Sequence, residues 1–191
     1  MSPDPDGPGD RMKTYEQVAR VAAPVWLLDV DGVVNVKQPA WHAPPWNGRA
    51  YDARLEYRMR WAPQLTTRIR QLHRAGVVEV RWCTTWCAHA DQLERLFRLP
   101  ALDRAFTDDL DGDDVPPVKL AAARAVLAAG RRLVWTDDAE VPEPGPLFDE
   151  LAAGGRALLI RPDARRGLTP AHLERIEAFS AASGTATARP G

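Results

Sequence analysis

Asp29 and Asp31 stand two residues apart at the end of the apolar run Trp26-Leu27-Leu28, and Gly32 follows at once. Alternate strand residues point the same way, and past the strand end the chain turns, so both carboxylates can converge on one pocket. Burying two like charges together is costly unless a proton or cation compensates. A Mg²⁺ ion held by carboxylate and carbonyl oxygens is the natural compensation. Gly32 permits the tight turn or close backbone approach that a larger residue resists.

Three further signals follow in order. A β-branched run ends at Thr84, which sits at a strand tip or caps the following helix; the segment alone fits both readings. Lys119 follows Pro116-Pro117-Val118 at the head of an alanine-rich helix, where a cation opposes the helix dipole. Surface lysines do occur there, but the local misfit hints at another purpose. Finally Val134-Trp135-Thr136 runs straight into the adjacent carboxylates Asp137 and Asp138, whose repulsion a bound cation would relieve.

The order Asp-x-Asp, Thr, Lys, Asp-Asp, each on its own βα unit, resembles the haloacid dehalogenase (HAD) superfamily from about Pro24 to Ser180. Receiver domains place their lysine last, and Toprim domains place a glutamate before Asp-x-Asp, so neither fits. More narrowly, Trp82-x-Thr84-x-Trp86, Asp137-Asp138 and Gly167-Leu168-Thr169-x-x-His172-Leu173 resemble a small cap-less branch. That branch includes the HAD domain of the bacterial Swiss Army Knife RNA repair proteins and stand-alone actinobacterial proteins.

The resemblance implies an α/β fold: a HAD-like Rossmannoid, doubly wound parallel sheet of five strands in the order 5-4-1-2-3, with strand 25–29 central. It also implies a Mg²⁺-dependent phosphatase. Asp29 would attack phosphorus and form an aspartyl-phosphate. Asp31 would protonate the leaving oxygen and later deprotonate the attacking water. The metal group implied is Asp29, the Val30 backbone carbonyl, Asp31, Asp137 and Asp138, with Asp138 either a ligand or a hydrogen-bonding partner of one. Thr84 would hydrogen-bond a phosphoryl oxygen, and Lys119 would neutralise charge on the phosphate and on Asp29. Dehalogenase chemistry is disfavoured, because it needs no Mg²⁺ and members performing it typically lack the second aspartate.

The elements must bring these residues together. Strands are predicted near 25–29, 77–83, 104–107, 132–136 and 156–160, alternating with helices at 63–73, 91–97, 118–129 and 146–153. A last helix opens with Thr169 as cap, Pro170 in the first position and a Leu168–Leu173 staple. Such alternation implies a parallel, doubly wound sheet, with ligands beyond the carboxyl ends of its strands, where all four motifs fall. From Tyr51 to Trp61 apolar and polar residues alternate strictly, and Asn47-Gly48 is a hairpin-turn signal. Residues 34–60 are therefore read as a β-hairpin flap in place of a full cap domain.

The flap region carries Lys37, Arg49, Arg54, Arg58 and Arg60 against Asp52 and Glu56, interleaved with Trp41, Trp46, Tyr51, Tyr57 and Trp61. Cations and aromatic faces together suit nucleotides or nucleic-acid termini, which makes Arg58 and Arg60 candidate substrate-binding residues. The alternative is that the aromatics form a buried face and the arginines a solvated one. His42, in the flap, is the histidine best placed to reach substrate; His73, His89 and His172 show no metal-binding spacing. Trp82 and Trp86 flank Thr84 and either wall the pocket or simply pack.

With 191 residues the chain suits one α/β domain, expected over 11–182, with disordered tails at 1–10 and 183–191. Lys plus Arg (25) nearly balances Asp plus Glu (26), so net charge points neither toward nor away from nucleic acid. No apolar run approaches the ~20 residues of a membrane span, and the acidic start is unlike a signal peptide. A cytoplasmic protein is expected, and no protein partner is inferable. Cys83 and Cys87 are too few for a zinc site and are read as free thiols beside the active-site strand. Two function classes remain: an enzyme, or a HAD-fold binding or regulatory module with little turnover, linked to RNA repair. The complete set of motif residues favours the enzyme.

Overall fold

Val25–Leu28 (β1) is buried on both faces, as a strand inside a parallel sheet must be. In the computed structural model, which describes residues 23–52, 55–110 and 112–182, β1 is the central strand. It pairs in parallel with Glu79–Trp82 (β4) on one side and Leu133–Thr136 (β6) on the other. Asp103–Arg104 (β5) and Ala157–Ile160 (β7) form the two edges. Trp46–Tyr51 (β2) and Glu56–Trp61 (β3) make a separate antiparallel hairpin. Numbered along the chain, the sheet order is β5-β4-β1-β6-β7, which over the five sheet strands alone, read from the β7 edge, is the expected 5-4-1-2-3. That expectation numbered the sheet strands alone, whereas β2 and β3 follow β1 in the chain and pair only with each other.

Among the described residues, five helices cover the sheet: Pro63–Arg74 (α1), Ala90–Phe97 (α2), Val115–Ala128 (α3), Pro146–Ala152 (α4) and Pro170–Ala181 (α5). The alternation of β1 divides the core in two. Trp26 and Leu28 pack with Ile69, Leu93 and Ile176 of α1, α2 and α5. Val25 and Leu27 pack with Ala123, Val126 and Leu151 of α3 and α4. Burying each large aliphatic side chain stabilises by about 1.5–3 kcal/mol. Two core indoles are hydrogen-bonded, Trp26 Nε1 to Thr136 Oγ1 (2.9 Å) and Trp82 Nε1 to Glu94 Oε1 (3.1 Å), whereas Trp61 Nε1 and Trp135 Nε1 are buried without a partner among the described residues. No helix among the described residues is long and apolar enough to cross a membrane.

The hairpin is present, but its turn lies elsewhere than expected. Asn47 and Gly48 are inside β2, opposite Arg60 and Met59. The chain reverses after Tyr51, where Asp52 Oδ1 accepts the Leu55 amide (2.8 Å). Gly48 serves packing, since a Cβ there would run into Leu96 of α2. Strict alternation survives only along β3, where Met59 and Trp61 are buried and Arg58 and Arg60 exposed. Two more boundaries shift. α3 starts at Val115, so Lys119 sits in its second turn, because Pro116 and Pro117 fit a first turn whose amides need no helical partner. α5 opens as predicted, with Thr169 Oγ1 accepting the His172 amide (3.3 Å) and His172 Nδ1 accepting that of Thr169 (3.2 Å). The tails at 1–10 and 183–191, the start of the expected domain at 11–22, and Ala53 and Arg54 of the flap lie outside the described residues.

Candidate functional site

The turn after β1 is built by one carbonyl. Val30 O accepts the amides of Val33 (3.2 Å), Val34 (2.8 Å) and Asn35 (2.8 Å). With its lone pairs committed to the turn, this carbonyl is not available as the metal ligand expected from the sequence. Gly32 adopts φ +70°, and a Cβ there would overlap the Asp138 carboxylate. The turn is held from behind by the segment before α5: the Leu168 amide donates to Val33 O (3.0 Å). Trp41 Nε1 then donates to Leu168 O (2.7 Å). The Gly-Leu-Thr tail thus fixes the turn that carries the Asp-x-Asp pair.

Asp29, at the tip of β1, and Asp137, at the tip of β6, are both buried. Lys119 reaches between them from α3, its Nζ 3.1 Å from Asp29 Oδ2 and 2.7 Å from Asp137 Oδ2. The other Asp137 oxygen accepts the amides of Ala139 (2.9 Å) and Glu140 (2.7 Å). Asp138, half-buried, completes a group in which one carboxylate oxygen from each of Asp29, Asp137 and Asp138 lies within 4.8 Å of the others.

Electrostatics in this cluster are strained. Burial and the neighbouring Asp137 push the Asp29 carboxyl from 3.8 up to about 7, with Lys119 opposing. Burial and Asp137 also raise Asp138. Burial disfavours the Lys119 charge, but Asp29 and Asp137 outweigh it and hold the ammonium well above the ordinary lysine range. One ammonium cannot balance three carboxylates. A set of hard oxygen donors suits Mg²⁺ or Ca²⁺ and not a thiolate-seeking metal. The residues present therefore fit the cation expected from the sequence.

Asp31 stands apart from that group. Its Oδ1 accepts Asn35 Nδ2 (2.6 Å) and its Oδ2 accepts Trp86 Nε1 (2.9 Å). It lines a cavity of about 590 Å³ with Asp52, Tyr57, Trp86, His89 and Asp109. Trp86 also meets Tyr57 of the hairpin edge-to-face, with centroids 5.0 Å apart. Thr84, fully buried, follows Cys83, whose amide donates to Leu28 O (2.9 Å), so it flanks the tip of β1. Its hydroxyl accepts the Trp86 amide (3.4 Å), which is the capping role, and this leaves the hydroxyl proton to donate.

Arg58 and Arg60 are not brought to the carboxylates. They line a second groove, of about 1020 Å³, on the outer face of the hairpin. The interleaved aromatics split: Trp41, Tyr57 and Trp61 pack on the core, whereas Trp46 and Tyr51 are exposed, so the packing alternative holds for part of the set. Cys83 and Cys87 are free and buried, and burial raises both thiols, which makes them poor nucleophiles. Sequence reasoning missed Asn35 and His89 and left Trp86 undecided. The signal for Asn35 was its place four residues after Asp31, within one turn; nothing local marked His89.

No family model matches the chain, and no curated protein matches it. Among solved structures, the hypothetical protein XCC2798 from Xanthomonas campestris is similar at 17% identity and a TM-score of 0.41, over 97% of this chain and 94% of that one. A likeness of that degree carries no inference about activity.

Proposed function

We propose that this protein is a Mg²⁺-dependent phosphomonoester hydrolase of the HAD type, working through an aspartyl-phosphate on Asp29. The observation that carries the reading is Lys119, bridging the buried Asp29 and Asp137 beside Asp138. A buried lysine shared by two carboxylates, with a third alongside, suits a site that handles phosphoryl charge. Bound by Asp29, Asp137 and Asp138, Mg²⁺ supplies positive charge that offsets their repulsion and the charge on the phosphoryl oxygens.

The chain's own residues divide the remaining work. In the first half-reaction an Asp29 oxygen bonds to phosphorus as the ester P–O bond breaks. The electron pair leaves on the alcohol oxygen, which takes a proton from Asp31. In the second, water attacks phosphorus, gives a proton to Asp31 and displaces the Asp29 oxygen. Inorganic phosphate leaves and both side chains return to their starting forms. Asn35 and Trp86 hold the two Asp31 oxygens in fixed directions, and this orientation is what a proton-transfer group requires. Lys119 fixes Asp29, and the Thr84 hydroxyl donates to a phosphoryl oxygen. The test is turnover of a chromogenic phosphate ester. Activity that needs Mg²⁺ and disappears in Asp29→Asn supports the reading, and full activity in excess chelator refutes it.

A further inference from the structure

The outer face of the hairpin carries charge without a counterpart. In the β2–β3 register Arg49 lies directly opposite Arg58, and Asn47 opposite Arg60. Like charges facing each other across strands repel. Glu56 relieves Arg49 (3.0 Å). Arg58, Arg60, Lys37 and Arg165 line the same groove of about 1020 Å³, and none of these four has an ion-pair partner among the described residues. The groove is pre-formed: the Val36 amide donates to Arg60 O (2.9 Å) and the Gln38 amide to Arg165 O (2.8 Å), which seats Lys37 between the two arginines. No acidic side chain lines it. The neighbouring cavity is its electrostatic opposite, lined by Asp31, Asp52 and Asp109 with no lysine or arginine. An extended anion belongs in the groove.

We infer that this groove holds the phosphodiester backbone of a single-stranded nucleic acid and presents the strand's terminal phosphomonoester to the Asp29–Lys119 cluster. The delivery of the terminal phosphate rests on the hydrolase reading above; the backbone grip rests on the groove alone. Same-face residues of a strand are spaced about 6.8 Å apart, so Arg58 and Arg60 form a row that suits a repeating anion better than a single one. Arginine's planar fork matches phosphate oxygens. Gly32 lines the groove and also lies against the Asp138 side chain, which brings one edge of the groove near the carboxylate cluster. Asn47 adds an amide group able to meet sugar or base edges. A membrane surface fits poorly, because the apolar groove residues Val36 and Met59 are buried and offer nothing to insert. With Tyr57 and Trp61 turned to the core, binding is electrostatic and tolerant of sequence.

Fluorescence anisotropy of the full chain with a short labelled oligonucleotide lacking a terminal phosphate tests the grip without turnover. Four cations on a single strand predict a slope of about 2.8 in log Kd against log salt, at about 0.7 per contact. Arg58→Ala with Arg60→Ala should lower that slope by about 1.4, and Lys37→Gln with Arg165→Gln, from other segments, should do likewise. Thermal melts confirm that each variant is folded. The proposal is overturned if the wild type fails to bind at low salt, if both double variants keep its slope, or if phosphatidylserine vesicles bind better than the oligonucleotide. Delivery is tested by kcat/KM, which should favour an end-phosphorylated oligonucleotide over phenyl phosphate; equal values refute it. Failure to hydrolyse any phosphate ester strikes the proposed activity, whereas loss of oligonucleotide binding strikes the groove.

Discussion

In the proposed mechanism Asp29 faces opposing demands: a nucleophilic carboxylate must be ionised, yet burial and Asp137 push it from 3.8 up to about 7. A carboxyl whose folded-state pKa is raised stabilises the native protein while protonated. Its contribution is complete below about pH 4 and is lost as pH rises through about 7. Relative to Asp29→Asn, the metal-free protein should therefore lose stability between those limits, by no more than about 4 kcal/mol. Melting both proteins in chelator across this range checks it; a constant difference contradicts the coupling, and Mg²⁺ should flatten the curve. Trp86 offers a second residue-level test. Trp86→Phe keeps a ring against Tyr57 but removes the donor to Asp31 (2.9 Å). A hydrogen bond to a charged group is worth about 1.5–3 kcal/mol, so kcat should fall roughly 10- to 100-fold. Esters of poorly leaving alcohols should lose most, because a nitrophenolate needs little protonation. Equal losses on both substrate types would mean that Trp86 acts only in packing. That Asp29, Lys119, Asp137 and Asp138 come together was legible in the sequence because each ends or follows a recognisable element, whereas Asp31, expected in the same metal group, stands apart from it. The Val30 carbonyl was misjudged because a backbone turn takes it, and hydrogen bonding of that kind leaves no mark on residue type.

At the scale of elements, the parallel strands and their helices were readable because Trp26–Leu28 and Leu133–Trp135 are short continuous apolar runs and Leu65, Ile69 and Leu72 keep a helical period. The hairpin's phase was not. Its turn is set by Asp52, and Asn47-Gly48, which looks like a turn, is a packing contact with Leu96. Glycine is equally ambiguous at the first motif, where both backbone conformation and close approach are at stake. Gly32 and Gly130 share a left-handed φ, +70° and +72°, but only Gly32 faces a neighbour, the Asp138 carboxylate. Alanine at either position should cost about 1–2 kcal/mol for the backbone. Only Gly32→Ala should also displace Asp138 and abolish the melting-temperature rise produced by Mg²⁺. If Gly32→Ala and Gly130→Ala respond to Mg²⁺ alike, the contact with Asp138 has no part in metal binding.

Across the whole molecule, strands β1, β4 and β6 end at one rim, and the hairpin has two unlike faces, Tyr57 lining the Asp31 cavity and Arg58 and Arg60 a separate groove. Alternation in β3 announces two faces but cannot say which meets Asp31, since that depends on how the hairpin docks on α2. Hence the arginines, though visible in the sequence, could not be assigned to a groove separate from the Asp31 cavity. Cation binding at the rim should register globally. At a Mg²⁺ concentration 100-fold above Kd the native state gains about 2.7 kcal/mol. For a chain of this size that is a rise of roughly 5–10 °C in Tm. Asp138→Asn should reduce the rise, and its persistence unchanged would remove Asp138 from the ligand set.

The central claim is covalent: phosphate passes through Asp29. Rapid quenching of the Mg²⁺-loaded protein during turnover of a phosphate ester, followed by peptide mass analysis, reads it directly. The account predicts a hydroxylamine-labile phosphoryl group on Asp29, enriched in Asp31→Asn, where water attack is slowed about 10²–10⁴-fold, and absent from Asp29→Asn. Robust turnover with no phosphoryl group on Asp29 in either the wild type or Asp31→Asn, or with one on another residue, would contradict it.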